Sequence, residues 1–480
     1  MRRLFVILIF WSPILFTFYD PYFGVVSYVL MNVIRPEQLM WGDRSAAGRI
    51  YLFTQAACFF SWLFNRNKEH LHGQDNPIPT QIFLLILFVS DMFIVTFFSE
   101  YAESAAWSSI FWKTTLFCFM MSKSVSSPKK MELLYVFVLI WMILLALWGF
   151  QQKFSGNTRM EGLGGEMLSD INDLSSVYVM YVPMAYYSLF SRKKWIRLGV
   201  AIPSFLIFVI FILFGGSRGA FLGLIVCMGL IFLRAQGVQK LKMVATMVFI
   251  GGLLGFVLAH IAPEGFFDEY TARLKTIKGQ EDTTTGQVER ESSSQGRIAM
   301  WQGAWTVFTK NPQYWWTGVG LRCYPSMYYK YFDEISAVLS EEDLSYIYNN
   351  GLGGKAIHNA QINILMSGGI PLAILWASLF FFSWQQAHSF PKKYPKIAQG
   401  VNLHNYANAL EIGIIGWLVC MSFLNIEFVD FFYWHVTMIG VLNNMGKAQL
   451  QREHSGVEED EEEEKASIRI ATRRPAFSRF

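Results

Sequence analysis

Charge is what this sequence has least of. Only 16% of its 480 residues are Asp, Glu, Lys or Arg, against 53% hydrophobic, and the mean hydropathy is +0.30. Soluble domains carry about 25% charged residues, so an ordinary water-soluble enzyme or binding module is excluded. The net charge is +4, and the basic residues fall mostly in short loops between apolar runs. No nucleic-acid partner is therefore expected. Cysteine is scarce as well: Cys58, Cys118, Cys227 and Cys420 sit inside apolar runs and Cys323 in a hydrophilic stretch, which gives no disulfide or zinc framework. No HExxH, P-loop or G-x-S-x-G segment is present, so metal, nucleotide and serine-hydrolase chemistries have no support. The residues call for no metal and no cofactor.

What the chain has instead is long apolar runs. A helix crossing the hydrocarbon core needs about 20 mostly apolar residues, because no water is there to satisfy free backbone groups. Runs near 4–34 (interrupted at Asp20-Pro21), 49–64, 81–98, 105–122, 131–150, 174–190, 198–214, 219–234, 243–262, 359–384, 406–424 and 431–446 predict an all-α polytopic membrane protein with about 12 transmembrane helices. Residues 1–34 form one broken span or two. The first run follows Met1-Arg2-Arg3 without a small-residue cleavage site, which predicts a retained span. Loops bearing Arg66 and Lys68, Lys123 and Lys129, Arg192 to Arg197, Arg234 and Lys240, and Lys392 to Lys396 alternate in sidedness and are expected in the cytoplasm.

The segments between them then face outward. The largest, about 263–358, is too long for a connector and predicts a loop subdomain. Within it Ile298, Trp301, Trp305 and Phe308 recur at three and four residues, as on one face of an amphipathic helix at the membrane surface. The resulting division is an N-terminal transmembrane region (1–150), a central one (151–262), the large loop (263–358), a C-terminal transmembrane region (359–446) and a cytoplasmic tail (447–480). The acidic run Glu458–Glu464 in that tail predicts disorder.

Three places set an ionisable group at an outward interface. Ser217-Arg218-Gly219-Ala220 follows Gly215-Gly216 and opens a helix. A guanidinium at a helix N-terminus suits an anion, though an interfacial arginine reaching lipid headgroups fits the residues equally. Gly296-Arg297 begins the amphipathic helix and is either a second such site or a solvated loop charge. His358-Asn359 stands where the large loop returns to the membrane, as a proton carrier or a structural hydrogen-bonder. Lesser candidates on the same side are Arg159, Glu161, Asp170, Asn172, Asp173, Glu427 and Asp430. Trp316, with Tyr314, Trp315, Tyr324, Tyr328 and Tyr329, fits sugar stacking or an interfacial aromatic belt.

Taken in order, Ser217-Arg218-Gly219-Ala220, Gly296-Arg297 with Trp301, Asn311-Pro312 through Gly318 and Gly320, and His358-Asn359 followed by Gly368-Gly369-Ile370-Pro371 resemble the O-antigen ligase/polymerase superfamily over roughly residues 170–445. Arg35-Pro36, Trp41-Gly42 and Asp170-Ile171-Asn172-Asp173 look closest to the O-glycosylation ligases associated with exosortase A systems. The resemblance implies a bacterial inner-membrane glycosyltransferase, with the large loop and active site in the periplasm. It would move a glycan from undecaprenyl diphosphate to an acceptor hydroxyl on lipid A core or on a protein Ser/Thr, with membrane lipids around it. It also implies that Arg218 and Arg297 bind the donor diphosphate and that His358 is catalytic. Arg159, Asp173, Trp316 and Asn359 remain as acceptor or glycan contacts. Two other readings stay open: a polymerase of lipid-linked repeats, which shares the donor, and a lipid or solute transporter, for which mid-membrane charges and paired broken helices would be expected.

Overall fold

The computed structural model describes residues 11–36, 45–65, 77–155, 170–235, 292–348, 356–395 and 402–472, the short pairs 280–281 and 288–289, and isolated positions between 237 and 255. Its first half is α1 (Pro21–Ile34), α2 (Ser45–Asn65), α3 (Thr80–Phe98), α4 (Glu103–Ser124), α5 (Pro128–Phe154), α6 (Ile171–Ser188), α7 (Lys194–Gly215) and α8 (Arg218–Arg234). Then come α9 (Ser292–Lys310), the short α10 (Tyr314–Thr317), α11 (Tyr324–Met327) and α12 (Phe332–Ser336), and α13 (Glu341–Tyr348). The long α14 (Ala360–Lys393), α15 (Leu403–Met421) and α16 (Asp430–Thr472) complete the chain. Gln280–Glu281 and Val288–Glu289 pair as two antiparallel two-residue strands.

Among the described residues, four helices are long and apolar enough to cross a membrane: α3, Pro128–Lys153 of α5, α7 and α14. The sequence pattern leads one to expect about twelve, and the difference has a physical origin. The middle helices α6, α8 and α15 are packed against one another. Two helices, α8 at 17 residues and α1 at 14, are shorter than the ~20 residues of a usual crossing, while in α6 and α15 an interior position tolerates polar residues that a lipid-facing helix does not. Thus α15 carries Glu411, and α6 carries Ser175 and Ser176, all buried. Of the run at 243–262 only isolated positions are among the residues described.

Small residues bring α8 against α15. A methyl group added at Gly223 would stand 2.7 Å from Cys420 Sγ, and one at Gly416 would stand 2.3 Å from Cys227 Sγ. Glycine and cysteine at four-residue spacing therefore let the two backbones approach closely, as in membrane helix pairs. At the end of this pair remote from Arg218, the buried Glu411 accepts from Arg234 (2.6 Å) and pairs with His388 Nδ1 (2.8 Å).

The break at Asp20-Pro21 is capped: Asp20 Oδ1 accepts from the Tyr22 amide (2.9 Å), and Oδ2 pairs with Lys130 (2.7 Å). Helix precedes it over 11–17, so the first run is broken where the sequence pattern places the break. At the other end, the helix of α16 continues over the acidic run to Thr472, where sequence composition leads one to expect a disordered tail.

Helices α9 to α13 form a satellite with its own apolar cluster, including Met300, Val307, Tyr324, Tyr328, Ile335 and Ile357. The expected amphipathic helix is present as α9, but it begins at Ser292, so Gly296-Arg297 lies in its second turn and not at its start, and its buried face is rotated. Ala299, Met300, Ala304, Val307 and Phe308 turn inward, whereas Ile298 (49% exposed) and Trp305 (57% exposed) turn outward. Two apolar stripes run along this helix, and the one with two alanines permits the closer approach.

Candidate functional site

The turn between α15 and α16, residues 422–429, is where the candidate residues meet. Asn359 caps α14, its Oδ1 accepting from the Ile362 amide (2.9 Å), while its Nδ2 donates to the Ser422 carbonyl (3.2 Å). Gln361 Nε2 donates to Ser422 Oγ (3.3 Å), and Asn363 Nδ2 donates to Glu427 Oε1 (2.6 Å). The first turn of α14 is thereby held to the turn by three amides. His358, half-buried and immediately before the cap, adopts φ 52°, a left-handed conformation that costs a non-glycine residue unless its surroundings hold it.

The helix bearing Arg297 is tied to the same place. Trp301 Nε1 donates to the carbonyl of Ile357, the residue before His358, at 2.8 Å. Arg297 lies one helical turn before Trp301, on the same face. Arg218 approaches from a third side. Gly216 (φ 65°) ends α7 in the left-handed region that only glycine enters readily, and Ser217 Oγ accepts from the Ala220 amide (3.4 Å) to start α8. The expected Gly-Gly turn is therefore formed. A methyl group at Gly219 would lie 3.2 Å from Phe423 Cβ, so the first turn of α8 rests on the 422–429 turn with Arg218 half-buried beside it.

Asp173 stands in the first turn of α6, whose N-cap is Asp170 (Oδ1 to the Asn172 amide, 2.6 Å). The end of α7 packs on this turn, since a methyl group at Gly215 would lie 2.7 Å from Ser175 Oγ. Burial, reinforced by Asp170 and Glu427, pushes the Asp173 carboxyl up to about 7, against the opposing pull of Arg322. A carboxyl raised in this way favours the folded state while protonated and opposes it once ionised. Its contribution is lost as pH rises from about 4, the ordinary carboxyl value, through about 7. Asp173→Asn should therefore be less sensitive than wild type to raising the pH from 5 to 9. Thermal unfolding of both proteins across that range checks it, and parallel curves would show that Asp173 ionises unhindered.

Trp316 stands on α10 with 68% of its surface exposed, within the same satellite as α9. Arg159 and Glu161, and the Trp41-Gly42 pair, lie outside the described residues. Asp430 begins α16 and accepts from Thr114 Oγ1 (2.6 Å) on α4. Among the described residues, no group of three His, Cys, Asp or Glu side chains is arranged to hold a metal.

One charged residue escapes sequence reasoning altogether. Arg322 follows the Gly318 and Gly320 positions noted as part of the motif order, and those glycines explain its placement. Pro371 has no N–H to give the Ser367 carbonyl one turn back, and α14 kinks at Gly369 (φ 72°). The carbonyls of Met366 and Ser367 instead accept from the amides of Val319 (2.8 Å) and Gly320 (3.1 Å). Arg322 emerges from this junction at φ 57°. Its Nε donates to Glu427 Oε1 (2.9 Å), its Nη2 to the Asn425 carbonyl, and its guanidinium lies 4.3 Å from the Trp107 ring centroid. The signal in the sequence is an arginine two residues after the Gly318-Val319-Gly320 segment, paired with an acid already noted at Glu427.

A cation at the start of α8, a second in the second turn of α9, a histidine and a carboxyl raised toward neutrality around one turn can hold an anionic group and take a proton beside it. No curated protein matches the chain. Residues 1–192 match a family of unknown function. Residues 203–377, the stretch that holds Arg218, Arg297, Arg322 and His358, match the family described as O-antigen ligase.

Proposed function

We propose that the protein is an inverting, metal-independent glycosyltransferase that moves a glycan from undecaprenyl diphosphate to an acceptor hydroxyl. The observation that carries this reading is the gathering of Arg218, the Arg297 helix and His358 around the 422–429 turn, within and just beyond a region similar to O-antigen ligases. The topology that goes with it has about twelve crossings of a bacterial inner membrane, with the site and the large loop on the periplasmic side. Outward-facing Ile298 and Trp305 suit a loop subdomain that rests on lipid.

The chemistry follows from the donor. His358 takes the proton of the acceptor hydroxyl as its oxygen bonds to the anomeric carbon of the sugar. The bond from that carbon to the diphosphate oxygen breaks, and its electron pair leaves with undecaprenyl diphosphate. Diphosphate is a good leaving group already, so cations that stabilise the growing charge serve better than an acid. Arg218 and Arg297 supply them. Attack from the face opposite the leaving group inverts the anomeric configuration. Transfer should proceed at an undiminished rate in a chelator, assayed by product formation with and without EDTA; loss of activity restored by a divalent ion would reveal a metal step.

The acceptor distinguishes the two enzymatic readings. Purified protein given a lipid-diphosphate glycan should glycosylate lipid A core or a protein Ser/Thr, as a ligase does, with Asp173 and Asn359 at the acceptor and Trp316 along the glycan. Extension of a second lipid-linked repeat in place of those products would make it a polymerase.

A further inference from the structure

The Arg322 guanidinium has the appearance of a third cation for the donor, but its surroundings point to another use. Its Nε is engaged by Glu427 Oε1 and its Nη2 by the Asn425 carbonyl, and its charge is compensated by a carboxylate whose side chain is fully buried. Such a cation has little attraction left for a diphosphate. Its bonds instead close a ring through three chain segments. The Arg322 amide donates to Ser367 Oγ (3.1 Å) on α14, its side chain reaches Glu427 on the 422–429 turn, and Glu427 Oε1 returns to Asn363 (2.6 Å), again on α14. Ser367 lies one turn beyond Asn363, and Asn363 one turn beyond Asn359. The ring thus fixes the end of α14 that carries His358 in its left-handed conformation.

We propose that Arg322 and Glu427 are a positioning pair, which sets His358 against the donor site by clamping the first turns of α14 to the 422–429 turn. The proposal rests on the glycosyltransferase reading for the role of His358, while the clamp itself is independent of it. Glu427 acts through its geometry with both donors. Its second oxygen, Oε2, is buried without a hydrogen-bond partner, so removal of Arg322 leaves a buried carboxylate with one amide for company. A buried ion pair cut on one side is far more damaging than one neutralised on both sides.

That asymmetry is the test. Arg322→Gln, Glu427→Gln and the double variant are purified, and kcat, KM for the lipid-diphosphate donor and amide hydrogen exchange over 356–367 are measured on monodisperse protein. The clamp predicts that Arg322→Gln lowers kcat by about 10–100-fold with donor KM within about 3-fold, the signature of a lost transition-state arrangement. It also predicts exchange over 356–367 at least about ten times faster. The double variant, neutral and still able to hydrogen-bond, should recover most of both losses. Should Arg322→Gln fail to fold, the double variant and Arg322→Lys carry the comparison, each expected within about 10-fold of wild-type kcat.

A donor KM raised tenfold or more, with no recovery in the double variant, would make Arg322 a donor ligand and overturn the proposal. So would unchanged exchange over 356–367 in Arg322→Gln. If the wild-type protein transfers no glycan, the enzymatic reading fails on its own, and the exchange measurement still decides whether the clamp exists.

Discussion

Alanine in place of His358 should lower kcat for glycan transfer by about 10²–10⁴-fold while the protein still elutes as a single species, because the acceptor hydroxyl loses its proton acceptor. Arg218→Ala should cost about 10²–10³-fold through lost stabilisation of the departing diphosphate. The two differ in kind. The histidine variant should bind the donor with little change, since an imidazole beside the acceptor adds nothing to ground-state affinity for the lipid. The arginine variant should also raise donor KM, because a guanidinium at a helix start attracts the diphosphate before reaction as well as during it. Arg218→Lys should recover part of the loss, keeping charge and giving up the planar fork. Initial rates against donor concentration separate these outcomes. Full transfer by both alanine variants would remove Arg218 and His358 from the chemistry.

A second large effect is expected far from any reacting group. Gly318 has φ 61° and ψ −167°, a conformation essentially reserved for glycine, and a methyl group there would stand 2.4 Å from the Ser367 carbonyl. Gly318→Ala therefore combines backbone strain of ~1–3 kcal/mol with overpacking of ~1–3 kcal/mol, at the junction that places Arg322. Gly369→Ala, at φ 72° and 2.5 Å from the Trp315 carbonyl, should do the same. Gly229 in α8 has open space around it, so Gly229→Ala should be neutral or slightly stabilising by up to ~1 kcal/mol. Thermal unfolding in detergent ranks the three. Equal midpoints for Gly318→Ala and Gly229→Ala would mean that the 318–320 junction with α14 is not the constraint described.

The parts of this molecule written as local patterns are legible in its sequence. The Gly215-Gly216 turn, the helix opened by Ser217-Arg218 and the break at Asp20-Pro21 all depend on residues within a few positions of one another. Harder to read is whatever depends on which segments meet. The number of crossings is one such case: α6, α8 and α15 shield one another, so an apolar run and a membrane-facing helix are different things here. The buried face of α9 is another. Ile298, Trp301, Trp305 and Phe308 share a stripe by spacing, but the satellite core prefers the narrower stripe through Ala299 and Ala304. Arg322 was hidden for the same reason, since its partner Glu427 lies 105 positions away and only the kinked α14 brings them together. Motif order alone marked Gly318, Gly320, Gly368 and Gly369, which turn out to be two sides of one junction.

The central claim is that a bond is broken at this site, rather than that a lipid or sugar is carried past it. The most direct measurement follows undecaprenyl diphosphate and acceptor together in proteoliposomes containing the purified protein and a labelled lipid-diphosphate glycan. The account predicts one undecaprenyl diphosphate released for each glycan attached to the acceptor, with the anomeric configuration inverted and both products formed at least about a hundredfold more slowly with His358→Ala. A labelled glycan that crosses the bilayer still joined to its lipid diphosphate, equally well in wild type and His358→Ala, would contradict it.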